Sequence, residues 1–321
     1  MIERRTPGLF AVVSLFFGGT FVAAKAGLDY FPPLLFVALR FDVAALVLAG
    51  YVVATNSRDA LIPRTWDDAA GILATGVLAI GLTNALLFVG QQYATSAVGA
   101  IVFSLNPILT PVFAAVLLAD ERLSTRGTAG LVLGVVGVGL VVSPDPANLL
   151  AGGIGKVILF AGAISGALGS VLVRWSDGNL TSSVRTAWGL PFGALLCHLL
   201  SLAAGESATT VTWSSEAILA LGYVGIVAGA VAYIAYFDLL DTAGAIHANL
   251  VFYVVPVVAT LGGWALLSES VSGTAIAGFL TIFAGFAVLG SDSFEIPAVW
   301  NRDDIENQAP VCEEPHGFKS D

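Results

Sequence analysis

One segment occurs twice in this chain. Phe103 to Glu121 reads FSLNPILTPVFAAVLLADE, and Phe252 to Glu269 reads FYVVPVVATLGGWALLSE. Each opens on Phe, places Pro four residues later, continues apolar and ends on Glu before a short polar turn. An offset of 149 maps Phe103 to Phe252, Pro107 to Pro256, Phe88 to Phe237 and Lys25 to Arg174. Past the proline one residue drops out, and an offset of 148 maps Glu121 to Glu269, Gly130 to Gly278 and Gly137 to Gly285. Ordered matches with a single indel indicate an internal duplication, and self-similarity of this kind constrains the whole architecture.

The repeated unit is built from long apolar runs rather than alternating or amphipathic patterns. About 20 helical residues cross a ~30 Å hydrocarbon core, so such runs read as membrane spans. Only 11% of the residues are charged and 57% are hydrophobic, against about 25% charged in soluble domains. Barrel strands would be shorter and alternating. The fold class is therefore an all-α polytopic membrane protein.

Ten spans are expected, near 8–27, 33–54, 69–90, 95–118, 127–143, 154–174, 182–203, 216–238, 245–267 and 273–291. Residues 1–143 form the first repeat, 144–153 a linker with SPDP and GG, and 154–291 the second repeat. Residues 292–321 hold eight acidic and two basic residues and three prolines, and read as an acidic disordered cytoplasmic tail. The basic start before the first apolar run also fits a signal peptide, but that run belongs to the repeat and reads as the first span.

Lys and Arg set the topology. With the N-terminus inside, ten of these residues fall on cytoplasmic segments, and only Lys25 and Lys156 fall outside. Both termini are then cytoplasmic. Five spans per repeat is an odd number, so the second repeat must be inverted. Inverted repeats are a signature of secondary transporters, with the solute site near the midplane between the halves.

The net charge of −10 argues against a nucleic-acid partner. The acidic surplus with only three lysines resembles the composition of high-salt organisms. Cys197 and Cys312 show no metal spacing and are not expected to pair; no metal or cofactor is expected. Gly127, Gly130, Gly134 and Gly137 form one helical ridge for close helix packing. Gly71, Gly76 and Gly81, spaced by five, would drift around an α-helix and signal packing less clearly.

Phe17-Gly18-Gly19-Thr20-Phe21 with Lys25, then Pro33 and Arg40-Phe41, resembles the opening of the drug/metabolite transporter superfamily in its EamA branch, which often has Trp where Phe17 stands. The two proline-to-glutamate segments, each followed by a glycine-rich helix, resemble the close of each EamA repeat. The family glycine before the glutamate is Asp120 in the first copy and Ser268 in the second. The resemblance implies two inverted five-helix EamA-type repeats and a central cavity lined mainly by spans 1, 3, 4, 6, 8 and 9. It also implies alternating access, with export of small metabolites such as amino acids or nucleobase-like solutes, or of drugs.

Several polar and aromatic residues suit a cavity wall. Asn84, Phe88 and Gln91 share one face of the third span, and the offset pairs Asn84 with Tyr233. Ser104 and Asn106 flank Pro107 in the fourth span. Asn249, Tyr253 and Pro256 share a face of the ninth, with His247 close by. Pro107 and Pro256 each interrupt the helical ladder, which in lipid is tolerated where backbone is buried or lines a cavity. His247 is the candidate proton-coupling residue; His198 reads as structural. Arg40 lies about seven residues inside the second span, should be paired or snorkel, and is a gating or coupling candidate. Lys25 and Arg174, near helix ends, are gating candidates or simple dipole partners. Interhelical hydrogen bonding is the plainer reading for each polar residue.

The expected partners are a small-molecule substrate, the lipid bilayer and, as a candidate coupling ion, the proton, in a monomer or homodimer. Nothing resembles a phosphate site with paired cations, which disfavours sugar phosphates. An intramembrane serine protease is a poor match to Ala163-Ile164-Ser165-Gly166 with His198 or His247. A sensor or scaffold is the other alternative class.

Overall fold

A computed structural model of the chain describes residues 2–118, 125–142, 153–239 and 251–290. Glu121, residues 143–152, His247, Asn249 and the 292–321 tail lie outside these described residues. The described chain is helical, without strands. We number the main helices α1 (Ile2–Gly27), α2 (Pro33–Thr55), α3 (Trp66–Gln91), α4 (Ser96–Leu117), α5 (Thr125–Val142), α6 (Gly153–Trp175), α7 (Ser182–Ala203), α8 (Ser215–Leu239), α9 (Val251–Leu267) and α10 (Gly273–Gly290). Seven of them are long and apolar enough to cross a membrane; α5, α9 and α10 carry shorter apolar stretches.

The helices start where local chemistry stops competing with them. Pro33 sits in the first turn of α2, where its missing N–H is no loss. Thr65 caps α3 by accepting from the Asp68 amide, and Asp68 returns the bond to the Thr65 amide. Thr95 and Thr181 accept from the Val98 and Val184 amides to start α4 and α7. α4 breaks at Ser104 and Leu105 and resumes at Asn106, with Pro107 in the new first turn. α9 carries Pro256 without a break. The first copy has a second proline, Pro111, where the second copy has Thr260.

The two halves are related by more than sequence. The packing pairs α1–α9, α3–α7 and α1–α8 recur as α6–α4, α8–α2 and α6–α3 once the halves are exchanged, while α2–α7 and α5–α10 map onto themselves. π-Helical turns occupy Ala74–Leu82 in α3 and Tyr223–Val231 in α8, which are equivalent at the same offset of 149. Bonds between the turns place them at two ends. Lys25 Nζ donates to the Gln91 carbonyl at 2.6 Å, and the Leu35 amide donates to Glu206 at 2.8 Å. The Ser96 amide donates to Glu269 at 3.0 Å. So the α1–α2, α3–α4, α7–α8 and α9–α10 turns share one end, called here the sealed end. At the other end the Asn179 amide donates to Asp68 at 2.8 Å and Trp188 Nε1 to the Leu61 carbonyl at 2.7 Å, which places the α2–α3 and α6–α7 turns together. The equivalent hairpins α1–α2 and α6–α7 thus turn at opposite ends.

Glycines allow the close crossings. A Cβ on Gly137 would stand 2.8 Å from the Gly278 carbonyl oxygen, and one on Gly285 2.7 Å from that of Gly130, so α5 and α10 meet through reciprocal glycines. The sequence-based expectation for Gly71, Gly76 and Gly81 needs correction. Gly76 meets Gly189, and a Cβ on Gly81 would lie 3.1 Å from Gly193 Cα, both on α7. Hydrogen bonding to i+5 in the π turns brings residues five apart onto one face, which an α-helical count misses.

Glu206 joins the halves at the sealed end. Its carboxylate accepts from the Leu34 and Leu35 amides, at the positive start of α2, and from Ser201 Oγ. Glu206→Ala should therefore cost about 1–2 kcal/mol. A thermal-unfolding midpoint equal to wild type in detergent would show that this cap contributes nothing.

Candidate functional site

A central cavity of about 680 Å³ runs between the halves. It is lined by α1, α2, α3, α4, α6, α7, α8 and α9. At one end it reaches Ser182 and Arg185, in the first turn of α7. Towards the other end it stops at Phe21 and Leu87, each four residues short of Lys25 and Gln91.

The sequence candidates divide by position. Asn84, Ser104, Asn106, Pro107, Tyr233 and Arg40 line the cavity. Gln91 does not: its side chain is fully buried, and Nε2 donates to the Phe21 carbonyl at 3.0 Å. Tyr253 turns towards α10, edge-on to Phe283 with ring centroids 5.5 Å apart. Pro256 is buried outside the cavity wall, although its neighbour Val255 contributes to it. Their i+4 and i+7 spacing selects a helix face, but only packing decides what that face meets. Arg174 is exposed at the end of α6, and Lys25 belongs to the seal.

Arg40 is 2% exposed, seven residues into α2, about 10 Å along the helix from its start. Its Nη1 donates to Asn84 Oδ1 at 3.2 Å. The guanidinium carbon lies 5.2 Å from the Phe41 ring centre and 5.4 Å from that of Phe88, within cation–π range. Asp42 instead meets His198 on α7, Nε2 to Oδ2 at 2.9 Å. That fits the structural reading of His198.

Beside Arg40 the wall is aromatic. Phe17 stands 5.4 Å from Tyr233, 5.7 Å from Tyr236 and 6.2 Å from Phe252, centroid to centroid. Tyr236 and Phe252 close the ring at 5.9 Å. Phe17 is ten residues before the end of α1, so this cluster sits near mid-depth of the bundle. Four buried polar atoms on lining residues have no partner among the described residues: Arg40 Nε, Arg185 Nε, Thr75 Oγ1 and Asn106 Oδ1. Buried polar groups are normally satisfied, so four such atoms on residues of one cavity wall set this wall apart.

Sequence reasoning missed Arg185 and the aromatic cluster. Arg185 counted as a cytoplasmic charge, although it lies inside the seventh span. Tyr236 follows Tyr233 by three residues and shares its face; that signal was available.

The seal beyond Phe21 is polar and joins both halves. Ser96 Oγ and Gln91 Nε2 both donate to the Phe21 carbonyl, at 3.2 and 3.0 Å. Glu269 receives the Ser96 amide, and Lys25 reaches across to α3. Phe31 stacks on Phe36 at 4.7 Å and meets Trp213 edge-on at 5.5 Å, adding an apolar cover.

A multi-pass helical membrane protein with a solute-sized central cavity, reaching one end and closed at the other, is the class these features define. The chain belongs to the EamA-like transporter family, which matches residues 6–143 and 153–291. At the family level this is a membrane transporter rather than an enzyme. It is similar to an uncharacterized transporter of Archaeoglobus fulgidus, 24% identical over 88% of this chain and 97% of that protein. It is similar to the uncharacterized transporter YyaM of Bacillus subtilis, 28% identical over 86% of this chain and 89% of that one. The uncharacterized inner membrane transporter YedA of Escherichia coli is 28% identical over 82% and 83%. A solved crystal structure superposes with a TM-score of 0.63 at 22% identity, covering 91% of this chain and 99% of its own, and shares the fold.

Proposed function

We propose that this protein is a secondary transporter that exports small metabolites from the cytoplasm by alternating access. The observation that carries the reading is the central cavity, which reaches Arg185 at one end and stops behind a hydrogen-bonded seal at the other. The exchange of packing pairs between the halves supports ten spans in two inverted repeats. Such symmetry supplies a second state at little cost, because each half can adopt the other's arrangement around a fixed site. The lysine and arginine bias supports a reading with both termini and the cavity mouth on the cytoplasmic side of the plasma membrane.

Counterflow tests this. Purified protein in proteoliposomes, loaded with a mixed pool of unlabelled metabolites, should accumulate one labelled class saturably. Asn84→Ala removes the partner of Arg40 and a polar wall group, and should weaken that uptake at least about tenfold, in line with losing a hydrogen bond to a charged group. Absence of counterflow by any class, from folded and inserted protein, would favour a sensor or scaffold instead.

A further inference from the structure

The charges around the cavity are of one sign. Arg40 and Arg185 line it, and no Asp or Glu does among the described residues. The sequence reading disfavoured paired cations; the fold brings two arginines from different halves to the same space. They are not adjacent. Arg185 stands in the first turn of α7 at the mouth, and Arg40 lies near the sealed end.

Arg40 is held as a receptor would be. Its guanidinium carbon lies 5.2 Å from the Phe41 ring centre and 5.4 Å from that of Phe88, Asn84 accepts from Nη1, and Nε has no partner among the described residues. A buried arginine without an acidic partner is costly in a membrane. A guanidinium edge of this kind matches a carboxylate in bidentate geometry. One buried positive charge balances one negative charge.

We propose, on the reading of this cavity as the transport site, that its substrates are monoanionic carboxylates with an aromatic or branched apolar body. The carboxylate meets Arg40 and Asn84. The body lies against Phe17, Tyr233, Tyr236 and Phe252 at mid-depth. Arg185 raises the local concentration of anions at the mouth. An amine on the solute gains no acidic partner from the described wall, so zwitterions rank below simple anions and cations lowest.

The test holds the ring constant and changes the charge. Binding of 3-phenylpropionate, phenylalanine, phenethylamine and phenyl phosphate to the full chain in nanodiscs is measured by calorimetry. The expected order places 3-phenylpropionate at least about tenfold tighter than phenethylamine, the ratio for one hydrogen-bonded charge, with phenylalanine between. Arg40→Gln should abolish this preference and Arg40→Lys should keep part of it. Equal or tighter binding of the amine or zwitterion, a stronger phosphate, no binding by any of the four, or a preference that survives Arg40→Gln would overturn the proposal. The series on the unmodified protein stands even where Arg40→Gln does not fold. Counterflow without anion preference defeats only the charge assignment; anion binding with no counterflow of any solute defeats the transport reading and leaves the charge assignment standing.

Discussion

Gly76→Val should yield almost no folded protein. A Cβ at Gly76 falls on the backbone of Gly189, and one turn further along α7 a Cβ on Gly193 would lie 2.9 Å from the Gly76 carbonyl oxygen. Backbone meets backbone here, so no flexible side chain can yield. Overpacking a core with side chains costs about 1–3 kcal/mol; separating two helices along a whole crossing exceeds that. It would consume much of the about 5–15 kcal/mol that holds a typical protein folded. Gly50→Val is the matched control, since its Cβ position is open within 4 Å. Fluorescence-detected gel filtration reads both variants. A Gly76→Val peak matching wild type in height and position would refute the crossing.

The second large effect is a shift of state rather than a loss of fold. Lys25→Met with Glu269→Gln removes two charged members of the seal: the bond to the Gln91 carbonyl and the charge that receives the Ser96 amide. Bonds to charged groups contribute about 1.5–3 kcal/mol each. Losing both should move the balance of closed and open seals by at least about 100-fold towards open. Thr20 lines the cavity and is 7% exposed, so a cysteine there reports access. In a background of Cys197→Ser and Cys312→Ser, Thr20→Cys should react with an impermeant maleimide from the mouth side only. In the seal variant it should also react from the other side. Labelling that stays one-sided would mean that the Glu206 bonds and the apolar cover of Phe31, Phe36 and Trp213 close this end without Lys25 and Glu269.

These two variants also separate what a linear reading can reach from what it cannot. The glycine ridge at Gly130, Gly134 and Gly137 was legible, because α-helical period and small side chains together name a packing face. The crossing through Gly76 and Gly81 was not, because the π turn changes the period within α3. The same turns shift the phase of everything after them, including Asn84 in α3 and Tyr233 in α8. Helix period alone therefore could not say how far their faces are rotated. Asn84 came from face periodicity and the repeat offset added Tyr233 to it, and both line the cavity. Gln91 and Tyr253 came from face periodicity, and they look respectively into the seal and towards α10.

By itself the sequence determined the class and the duplication: a polytopic helical bundle built from two repeats. Span length, charge bias and self-similarity are properties of the chain read along one dimension, and lipid leaves helices few alternatives. Tertiary structure alone decided which residues share a space. Arg40 and Arg185 are 145 positions apart in sequence and belong to different halves, so no local pattern relates them. Their convergence, the aromatic cluster from α1, α8 and α9, and the seal from Lys25 to Glu269 all depend on how helices rotate and cross. Close glycine contacts and satisfied polar groups set those rotations.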